Sequence, residues 1–333
     1  MNIQQLEYII AVDNYRHFSK AAEASFVTQP TLSMMIQKLE EELGVKIFDR
    51  SQLPVHPTEI GKRIIDQARV AVAQVNQIKE VVQEEKGIIK GVFRLGIIPT
   101  ISPYLLPRLM QVHSENKYDI RIVISELTTD HILKGLSNDS LDGGILATPL
   151  REPSIRENPI YYERFYAYVS PQERALFAKT SLDESDLTAA RLWLLDEVHC
   201  FRTQILHLCN LRKKKGGNQQ SIFSYEAGSI DTLINIVDKN DGLTVIPEMA
   251  LANLSEAQMK NVRPFKNSTP VREVSLVTRK EFYRERLLGI ILEEVKTAVP
   301  VSMQDEAMKK YVVPLGIAVG GAHHPSGGRH FIE

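Results

Sequence analysis

The segment LLDEVHCFRTQILHLCN contains both cysteines of this 333-residue chain, Cys200 and Cys209. A strand-like run, RLWLLD, precedes it, so we expect Cys200 in the first turn of the helix that follows. A helix N-terminus and the neighbouring side chains of His199 and Arg202 favour thiolate over thiol. A thiolate in a polar pocket attacks peroxide and becomes a sulfenic acid, which a second thiol can convert to a disulfide.

The spacing of the two cysteines sets a condition on any bond between them. If residues 200–209 formed one helix, nine residue steps would separate the two Cα atoms by about 13 Å. A disulfide needs Cα atoms within roughly 7 Å of each other, so its formation requires this segment to unwind. Oxidation would therefore be coupled to local refolding, as in a conformational switch.

Three other interpretations of these cysteines stay open. Both could be small buried hydrophobic residues in a domain that binds an organic metabolite. The chain could also be a thiol peroxidase, but its first third would then have no explanation. A metal could be bound, although the paired Cys spacing of structural zinc sites is absent. Its ligands would be His199, Cys200, His207 and Cys209. We predict a protein that is not an enzyme and that has no metal or cofactor.

The composition is that of an ordinary globular protein, with a net charge of −1. The sequence has no apolar run long enough to span a bilayer, and its N-terminus lacks the pattern of a signal peptide. We therefore expect a cytoplasmic chain of two or three domains, with no membrane partner. Because the net charge gives no sign of nucleic acid, a case for DNA binding depends on where side chains point.

The first 57 residues have the pattern of a winged helix-turn-helix. Two short helical segments precede a third helix, which Thr28 can cap and which has an apolar stripe from Leu32 to Leu43. The run VKIFDRSQLPVHPT then predicts a two-stranded wing. In this arrangement the helix after the turn enters the major groove, so its polar side is expected to meet bases and phosphates. The predicted contacts are Thr28, Gln29, Pro30, Thr31, Ser33, Gln37, Lys38 and Arg50.

A long helix is predicted between Thr58, which can cap it, and Gly87, which ends it. Its apolar residues recur at spacings of three and four over about three heptads, the minimum that indicates a coiled coil. A second copy of the chain is the simplest partner for this seam, and packing onto the chain's own domain is the alternative. The seam residues are Ile64, Ala68, Ala71, Val75, Ile78 and Val82. We predict a homodimer that pairs into a tetramer.

From Val92 onward, strand-like and helical runs alternate in two blocks. This alternation predicts parallel sheets in two α/β subdomains, with a ligand cleft between them. The fold class is therefore α/β with an N-terminal winged helix-turn-helix. The predicted boundaries are 1–57 for the DNA-binding domain, 58–87 for the linker helix, 88–313 for the regulatory domain (88–163 with 268–313, and 164–267) and 314–333 for a disordered tail.

The run FSKAAEASFVTQPTLSMMIQKLEEELGVKIFDR resembles the N-terminal signature of LysR-type transcription regulators, and the resemblance extends over residues 1–300. It implies that the regulatory domain resembles periplasmic binding proteins. The chain departs from the family at two places. Met34 and Met35 stand where the family often has Arg or Lys, and the wing tip, residues 52–54, is Gln-Leu-Pro instead of basic. We therefore expect DNA binding to depend only weakly on salt.

The sequence His-Cys-Phe-Arg, followed by a second Cys nine residues after the first, resembles the peroxide-sensing branch of this family, as do IPTISPYLLP and ELTTD. By this resemblance Cys200 is the peroxidatic thiol and Cys209 the resolving one. Thr100, Thr129, His199 and Arg202 would surround the peroxide and the thiol. The implied partners are promoter DNA, RNA polymerase, hydrogen peroxide and a thiol reductant such as glutaredoxin or thioredoxin. A regulator that responds to a small organic effector in the cleft is the alternative.

Overall fold

A computed structural model describes residues 1–51, 53–85, 90–116, 118–188, 191–196, 200–208, 228–266 and 270–315. The chain forms two compact units. The first contains residues 1–146 and 276–300, and the second contains 147–275 and the chain from 301 onward. None of the helices in the described part of the chain is both long enough and apolar enough to cross a membrane.

The N-terminal part of the first unit is the predicted winged helix-turn-helix. Its elements are α1 (Ile3–Tyr15), α2 (Phe18–Ala24), α3 (Gln29–Leu43), β1 (Phe48–Asp49) and β2 (His56–Pro57). The Thr28 hydroxyl accepts a hydrogen bond from the backbone N–H of Thr31, and α3 ends at Gly44 with a left-handed φ of 70°. Strands β1 and β2 pair antiparallel, as a wing requires. The cap and the wing confirm this part of the prediction.

The linker helix, α4 (Glu59–Glu85), begins directly against the wing. The Thr58 hydroxyl accepts from the Gly61 backbone N–H over 2.9 Å and donates to the Lys46 carbonyl oxygen over 2.7 Å. A Cβ atom at Gly61 would lie 2.0 Å from the carbonyl oxygen of Ile47. The first turn of α4 therefore fits against the chain that leads into the wing only because residue 61 has no side chain.

The first half of α4 packs on the DNA-binding domain of its own chain. Ala68 is 3% exposed and belongs to the core of that domain, and Ile64 packs against the same core. The predicted dimer seam is therefore wrong for Ala68, because α1 already covers that side of the helix. Ile78 is 65% exposed, as a residue awaiting a partner would be. The side chain of Val82 lies outside the described residues, and Ala71 and Val75 are half-buried.

Strands and helices alternate after the linker helix. The strands are β3 (Lys90–Ile97), β4 (Asp119–Glu126), β5 (Gly143–Thr148), β6 (Ile155–Val169), β7 (Leu243–Pro247), β8 (Val262–Pro264) and β9 (Val271–Arg279). The helices are α5 (Ser102–Ser114), α6 (Thr129–Ser137), α7 (Arg174–Phe177), α8 (Cys200–Leu208), α9 (Ile230–Lys239), α10 (Glu256–Met259) and α11 (Glu285–Ala298).

The sheet of the first unit is parallel where β3 pairs with both β4 and β5, as the alternation predicted. Helix α11 packs against α5 beside this sheet. One polar contact between the two helices joins His113 Nδ1 to Glu294 Oε2 over 2.8 Å. Because β3 and β4 are parallel neighbours, the residues that follow their carboxyl ends lie at one edge of the sheet.

Among the described residues of the second unit the full strands pair antiparallel, which the sequence did not predict, whereas the isolated bridges from Leu182 to Phe265 and from Leu192 to Leu243 are parallel. Strand β6 pairs antiparallel with β7 and with β8. This 15-residue strand follows β5 with no helix between them, so the alternation of strands and helices does not reveal it. The run RLWLLD, residues 191–196, makes only an isolated bridge from Leu192 to Leu243 instead of a full strand. A later strand-like run of the sequence, SIFSYE (residues 221–226), also predicts a strand and lies outside the described residues.

The boundaries of the units differ from the predicted ones. The chain passes between the units inside β5, after residue 146, and inside β9, after residue 275. Because no sequence pattern marks the place where the chain changes units in the middle of a strand, the predicted boundaries at 163 and 267 differ from those of the structure. Residues 301–313 belong to the second unit, where the Val313 backbone N–H donates to the Val271 oxygen over 2.8 Å. Leu315, predicted to be in the disordered tail, is 3% exposed, and residues 316–333 lie outside the described part.

Candidate DNA-reading surface and redox site

The outer side of α3 is polar and points to solvent. Seven of the eight predicted DNA contacts are exposed, and Ser33 is half-buried. On the opposite side Leu32, Ile36 and Leu39 are fully buried in the core of the domain. The exposed side of α3, the turn before it and the adjacent Arg50 form the reading surface. The predicted DNA contacts on it are Thr28, Gln29, Pro30, Thr31, Ser33, Gln37, Lys38 and Arg50.

Arg50, predicted to contact phosphate, is held in place by three neighbours. Its guanidinium donates to the Ser33 hydroxyl over 3.2 Å and to the Glu40 carboxylate over 3.3 Å. It also lies 4.8 Å from the centre of the Phe18 ring. These contacts restrict the rotamers of Arg50 in the free protein. The side chain therefore loses less conformational entropy when it binds a phosphate.

Glu40, which the sequence analysis did not single out, is the residue that joins α3 to the wing. It is 2% exposed, and its carboxylate accepts from the backbone N–H groups of Ile47 at 2.8 Å and Phe48 at 3.3 Å. The buried charge is thus balanced by two backbone donors and by Arg50. The sequence could have indicated this role, because Glu40 stands next to Leu39 on the side of an amphipathic helix that is predicted to be buried.

Cys200 is the first residue of α8 and is 9% exposed. The next residue, Phe201, is fully buried and meets the Phe165 ring edge-on, with ring centres 5.0 Å apart. This packing fixes the start of the helix. Cys200 therefore lies in the first turn of a helix, the position that the sequence predicted. His199 and Cys209 lie outside the described residues.

Arg202 anchors α8 to the segment before it. Its guanidinium donates to the carbonyl oxygen of Leu195 over 2.8 Å. One helical turn beyond Cys200, Gln204 is fully buried, and its amide donates to the Val313 oxygen over 3.2 Å. Side chains on two sides of α8 are thus bound to backbone that does not belong to the helix, and this fixes the orientation of Cys200.

Arg272 lies beside the start of α8, and the sequence analysis did not single it out. It is fully buried, its Nε donates to Glu163 over 2.7 Å, and its guanidinium lies 5.2 Å from the centre of the Phe201 ring. Burial, the largest single effect, lowers the pKa of Arg272, but the charges of Glu163 and Tyr161 and the hydrogen bond to Glu163 together raise this pKa above its ordinary value. Cys200 makes a smaller contribution in the same direction, so it lies within electrostatic reach of the guanidinium. A charged residue at the start of an apolar strand was the overlooked signal.

Thr100 and Thr129 belong to the first unit and are 3% and 6% exposed. Thr100 follows the carboxyl end of β3, and Thr129 begins the helix that follows β4. The two threonines therefore lie at the same edge of the parallel sheet, where ligands of α/β proteins commonly bind. The structure thus has both threonines at strand ends, as the sequence predicted; their contact with a peroxide stays a prediction.

Two family models match the chain. "Bacterial regulatory helix-turn-helix protein, lysR family" covers residues 3–62, and "LysR substrate binding domain" covers residues 86–299. The chain belongs to the LysR family of bacterial transcription regulators. The first matched range contains the reading surface, and the second contains Thr100, Thr129, Cys200 and Arg272.

Known LysR-family proteins extend this likeness over nearly the whole chain. A hydrogen peroxide-inducible genes activator of Haemophilus influenzae is 34% identical over 304 residues, covering 89% of this chain and 98% of that protein. A full-length cysteine-to-aspartate variant of OxyR from Pseudomonas aeruginosa has a TM-score of 0.70 at 33% identity, covering 89% and 98% of the two chains. A mutant OxyR of Corynebacterium glutamicum with H2O2 bound has a TM-score of 0.57 at 26% identity, covering 89% and 92%.

Proposed function

We propose that this LysR-family regulator binds promoter DNA and activates transcription when hydrogen peroxide oxidises Cys200 and a Cys200–Cys209 disulfide forms. The position of Cys200 carries the proposal: it begins α8, next to Phe201, whose ring centre lies 5.2 Å from the buried guanidinium of Arg272. A helix N-terminus and a nearby positive charge both favour a thiolate over a thiol. The peroxide-inducible and peroxide-bound relatives support the choice of oxidant. Thr100, Thr129, His199 and Arg202 remain the proposed neighbours of the peroxide and the thiol.

The chemistry needs one peroxide and two thiols. The Cys200 thiolate attacks one peroxide oxygen, the O–O bond breaks, and hydroxide leaves and takes up a proton to become water. The Cys209 thiol then attacks the sulfur of the sulfenic acid, an S–S bond forms, and a second water leaves. Both sulfurs are oxidised and the peroxide is reduced, so a reductant of the glutaredoxin or thioredoxin class resets the pair.

The extent of α8 supports the coupling between oxidation and refolding. The helix runs from Cys200 to Leu208, eight steps that span about 12 Å. Cys209 is one residue further, and adjacent Cα atoms are about 3.8 Å apart. While α8 is intact, the Cα of Cys209 therefore stays roughly 8 Å or more from that of Cys200, beyond the reach of a disulfide. Bond formation has to unwind the end of the helix.

The proposed assembly is a homodimer, or a dimer of dimers, in which two reading surfaces bind the halves of a pseudo-palindromic operator. Exposed Ile78 on the second half of α4 would belong to the dimer contact. Activation would then proceed through contact with RNA polymerase. Refolding at α8 would change the relation between subunits, and with it the spacing of the reading surfaces.

The test combines thiol mass spectrometry with DNA footprinting of the full chain. After brief exposure to micromolar peroxide, we expect a disulfide in the unmodified chain, a sulfenic acid in Cys209→Ser and an unreacted thiol in Cys200→Ser. The reduced and oxidised forms should give different footprints. If Cys200 stays a thiol, or if Cys200→Ser still responds, the organic-effector alternative is favoured and the redox switch is rejected.

A further inference from the structure

Two large apolar side chains stand on the reading surface without a function in the fold. Phe26, in the turn between α2 and α3, is 97% exposed, and Met34, in the middle of α3, is 50% exposed. The neighbour of Phe26, Val27, packs against the core of the DNA-binding domain, so Phe26 points away from it. Neither side chain is needed to bury apolar surface within its own domain.

The backbone of the turn does not account for Phe26 either. Its φ is 56°, in the left-handed region that disfavours residues other than glycine and asparagine. The turn is held by backbone bonds from Phe26 to Glu23 at 3.1 Å and from Val27 to Ala22 at 3.0 Å. These bonds would form with any side chain at position 26. A phenyl group at position 26 exposes apolar surface to water and strains the backbone, and both are unfavourable for the folded domain. Its presence therefore points to a contact with a binding partner.

Met34 lies on the side of α3 that is proposed to enter the major groove. It is three residues after Thr31 and three before Gln37, so the three side chains are neighbours on one face of the helix. Residues 29–38 contain one lysine and no acidic residue, and the helix N-terminus adds a partial positive charge. Of the acidic residues that follow, Glu40 is turned into the core, whereas Glu41 is exposed and its carboxylate accepts from the Gln37 amide over 2.9 Å. The net positive charge of residues 29–38 themselves suits a polyanion and makes duplex DNA the fitting partner for the apolar side chains.

We infer that Phe26 and Met34 recognise thymine methyl groups, and that the operator has thymines at the positions these side chains face. The C5-methyl of thymine is the apolar group that base edges present in the major groove, and apolar side chains read it by contact. Such contacts release no counterions, which agrees with the weak salt dependence expected from a reading surface with few cations. This inference rests on the proposed DNA-binding function and specifies its chemistry.

The experiment replaces each operator thymine in turn by uracil, which keeps the hydrogen-bonding edge and removes only the methyl. The operator is first defined by footprinting with the full chain, and affinities are measured by fluorescence anisotropy at two salt concentrations. At one or two positions we expect uracil to weaken binding about fourfold, the equivalent of one buried methyl group. The loss should be the same at both salt concentrations.

The variants Phe26→Asn and Met34→Gln should each become insensitive to uracil at their own position. Asparagine suits the left-handed φ of residue 26, and glutamine matches methionine in length, so both variants should keep the fold, which circular dichroism checks. Met259→Gln, a half-exposed methionine on α10, is the matched control and should keep the full uracil effect. Uracil substitutions that leave the unmodified chain unaffected, or that weaken all variants equally, overturn the inference while DNA binding stands. Absence of any specific DNA binding would reject the proposed function itself.

Discussion

Arg272 and Glu163 form an ion pair from which water is excluded: their side chains are 1% and 0% exposed, and 2.7 Å separates Nε from Oε2. The Glu163 carboxylate also accepts from the Met249 backbone N–H over 2.8 Å. Removing one member of such a pair leaves an uncompensated charge in the interior, which costs far more than the pair contributes. The guanidinium therefore stabilises the interior, and under the proposed function it has a second, separable effect on the Cys200 sulfur.

We predict that Arg272→Met lowers the free energy of unfolding by about 3–5 kcal/mol, because the carboxylate of Glu163 is then buried alone. The double variant Arg272→Met/Glu163→Leu should recover most of this loss. Its Cys200 should nevertheless react with peroxide roughly tenfold more slowly or worse, since the positive charge that favours thiolate is gone. Urea denaturation and stopped-flow peroxide kinetics measure the two effects. Equal peroxide rates in the double variant and the unmodified chain would contradict the electrostatic role.

Arg69, on the linker helix, connects α1 with the turn after α6. Its side chain is 6% exposed, pairs with Asp13 over 3.0 Å, donates to Asn14 and forms an ion pair with Asp139. Asp139 also accepts from Arg279 over 3.2 Å. All of these residues belong to the first unit. One side chain therefore ties the DNA-binding domain, the linker and the first part of the regulatory domain together.

Arg69→Ala should lower the free energy of unfolding by roughly 1–3 kcal/mol, because charge-assisted hydrogen bonds of a buried donor are lost. Arg69→Lys should recover only part, since an ammonium group cannot make the same planar set of bonds. Lys62→Ala on the same helix is the control: its pair with Glu59 is exposed on both sides, and we expect about 0.5 kcal/mol or less. Urea denaturation measures the free energy of unfolding of each variant. Similar losses for the Arg69 and Lys62 variants would count against a structural role for Arg69.

Gly61 and Gly289 allow a matched test of the contact between wing and linker. Gly61→Ala would place a methyl group against the Ile47 carbonyl, and we expect a loss of about 1–3 kcal/mol or more. Gly289 is exposed inside α11 with no atom within 4 Å of a Cβ position. There, alanine should raise the free energy of unfolding by about 0.5–1 kcal/mol through its higher helix propensity. Thermal unfolding followed by circular dichroism checks both signs.

Four tyrosines of β6 should make the protein sensitive to alkali. Burial is the main cause that raises the pKa of Tyr161, Tyr162, Tyr166 and Tyr168. For Tyr162 the pKa reaches about 12, with Glu273 adding to the effect of burial. In the unfolded chain tyrosine titrates near 10. Because the folded state keeps protons that the unfolded state releases, the stability present below about pH 10 is lost as the pH rises toward 12.

Two spectroscopic signals test this prediction together. The ultraviolet absorbance of tyrosinate should lag behind that of the denatured protein and rise only as the circular dichroism signal is lost. Tyr162→Phe should make the loss of stability between these pH values shallower. Ionisation of all tyrosines near pH 10 in a protein that is still folded would disprove the prediction.

Local patterns made much of this fold predictable. The caps at Thr28 and Thr58 depend on residues a few positions apart, and the structure has both where the sequence indicated. The position of Cys200 at the start of α8 followed from the same local reasoning. These features depend on hydrogen bonds within one or two helical turns, and their partners can be read along the chain.

Long-range partnerships could not be read in this way. Glu163 and Arg272 are 109 positions apart, and each by itself is only a charged residue in or near an apolar strand. The antiparallel pairing of β6 and the passage of the chain between units inside β5 and β9 depend on which strands meet in space. The covering of Ala68 by α1 is of the same kind: the heptad pattern gave the apolar side of α4 but not which neighbour would cover it.

The close approach of Gly61 to Ile47 has a mechanical consequence for the proposed dimer. With no room for even a methyl group between them, the wing and the first turn of α4 have to move as one piece. A change in the direction of α4 would therefore change the orientation of the wing, and of the DNA half-site bound to it, by the same amount. The quantity on which oxidation would act is then the distance between the two DNA half-sites that a dimer can span, with the affinity of each half for its own bases left unchanged.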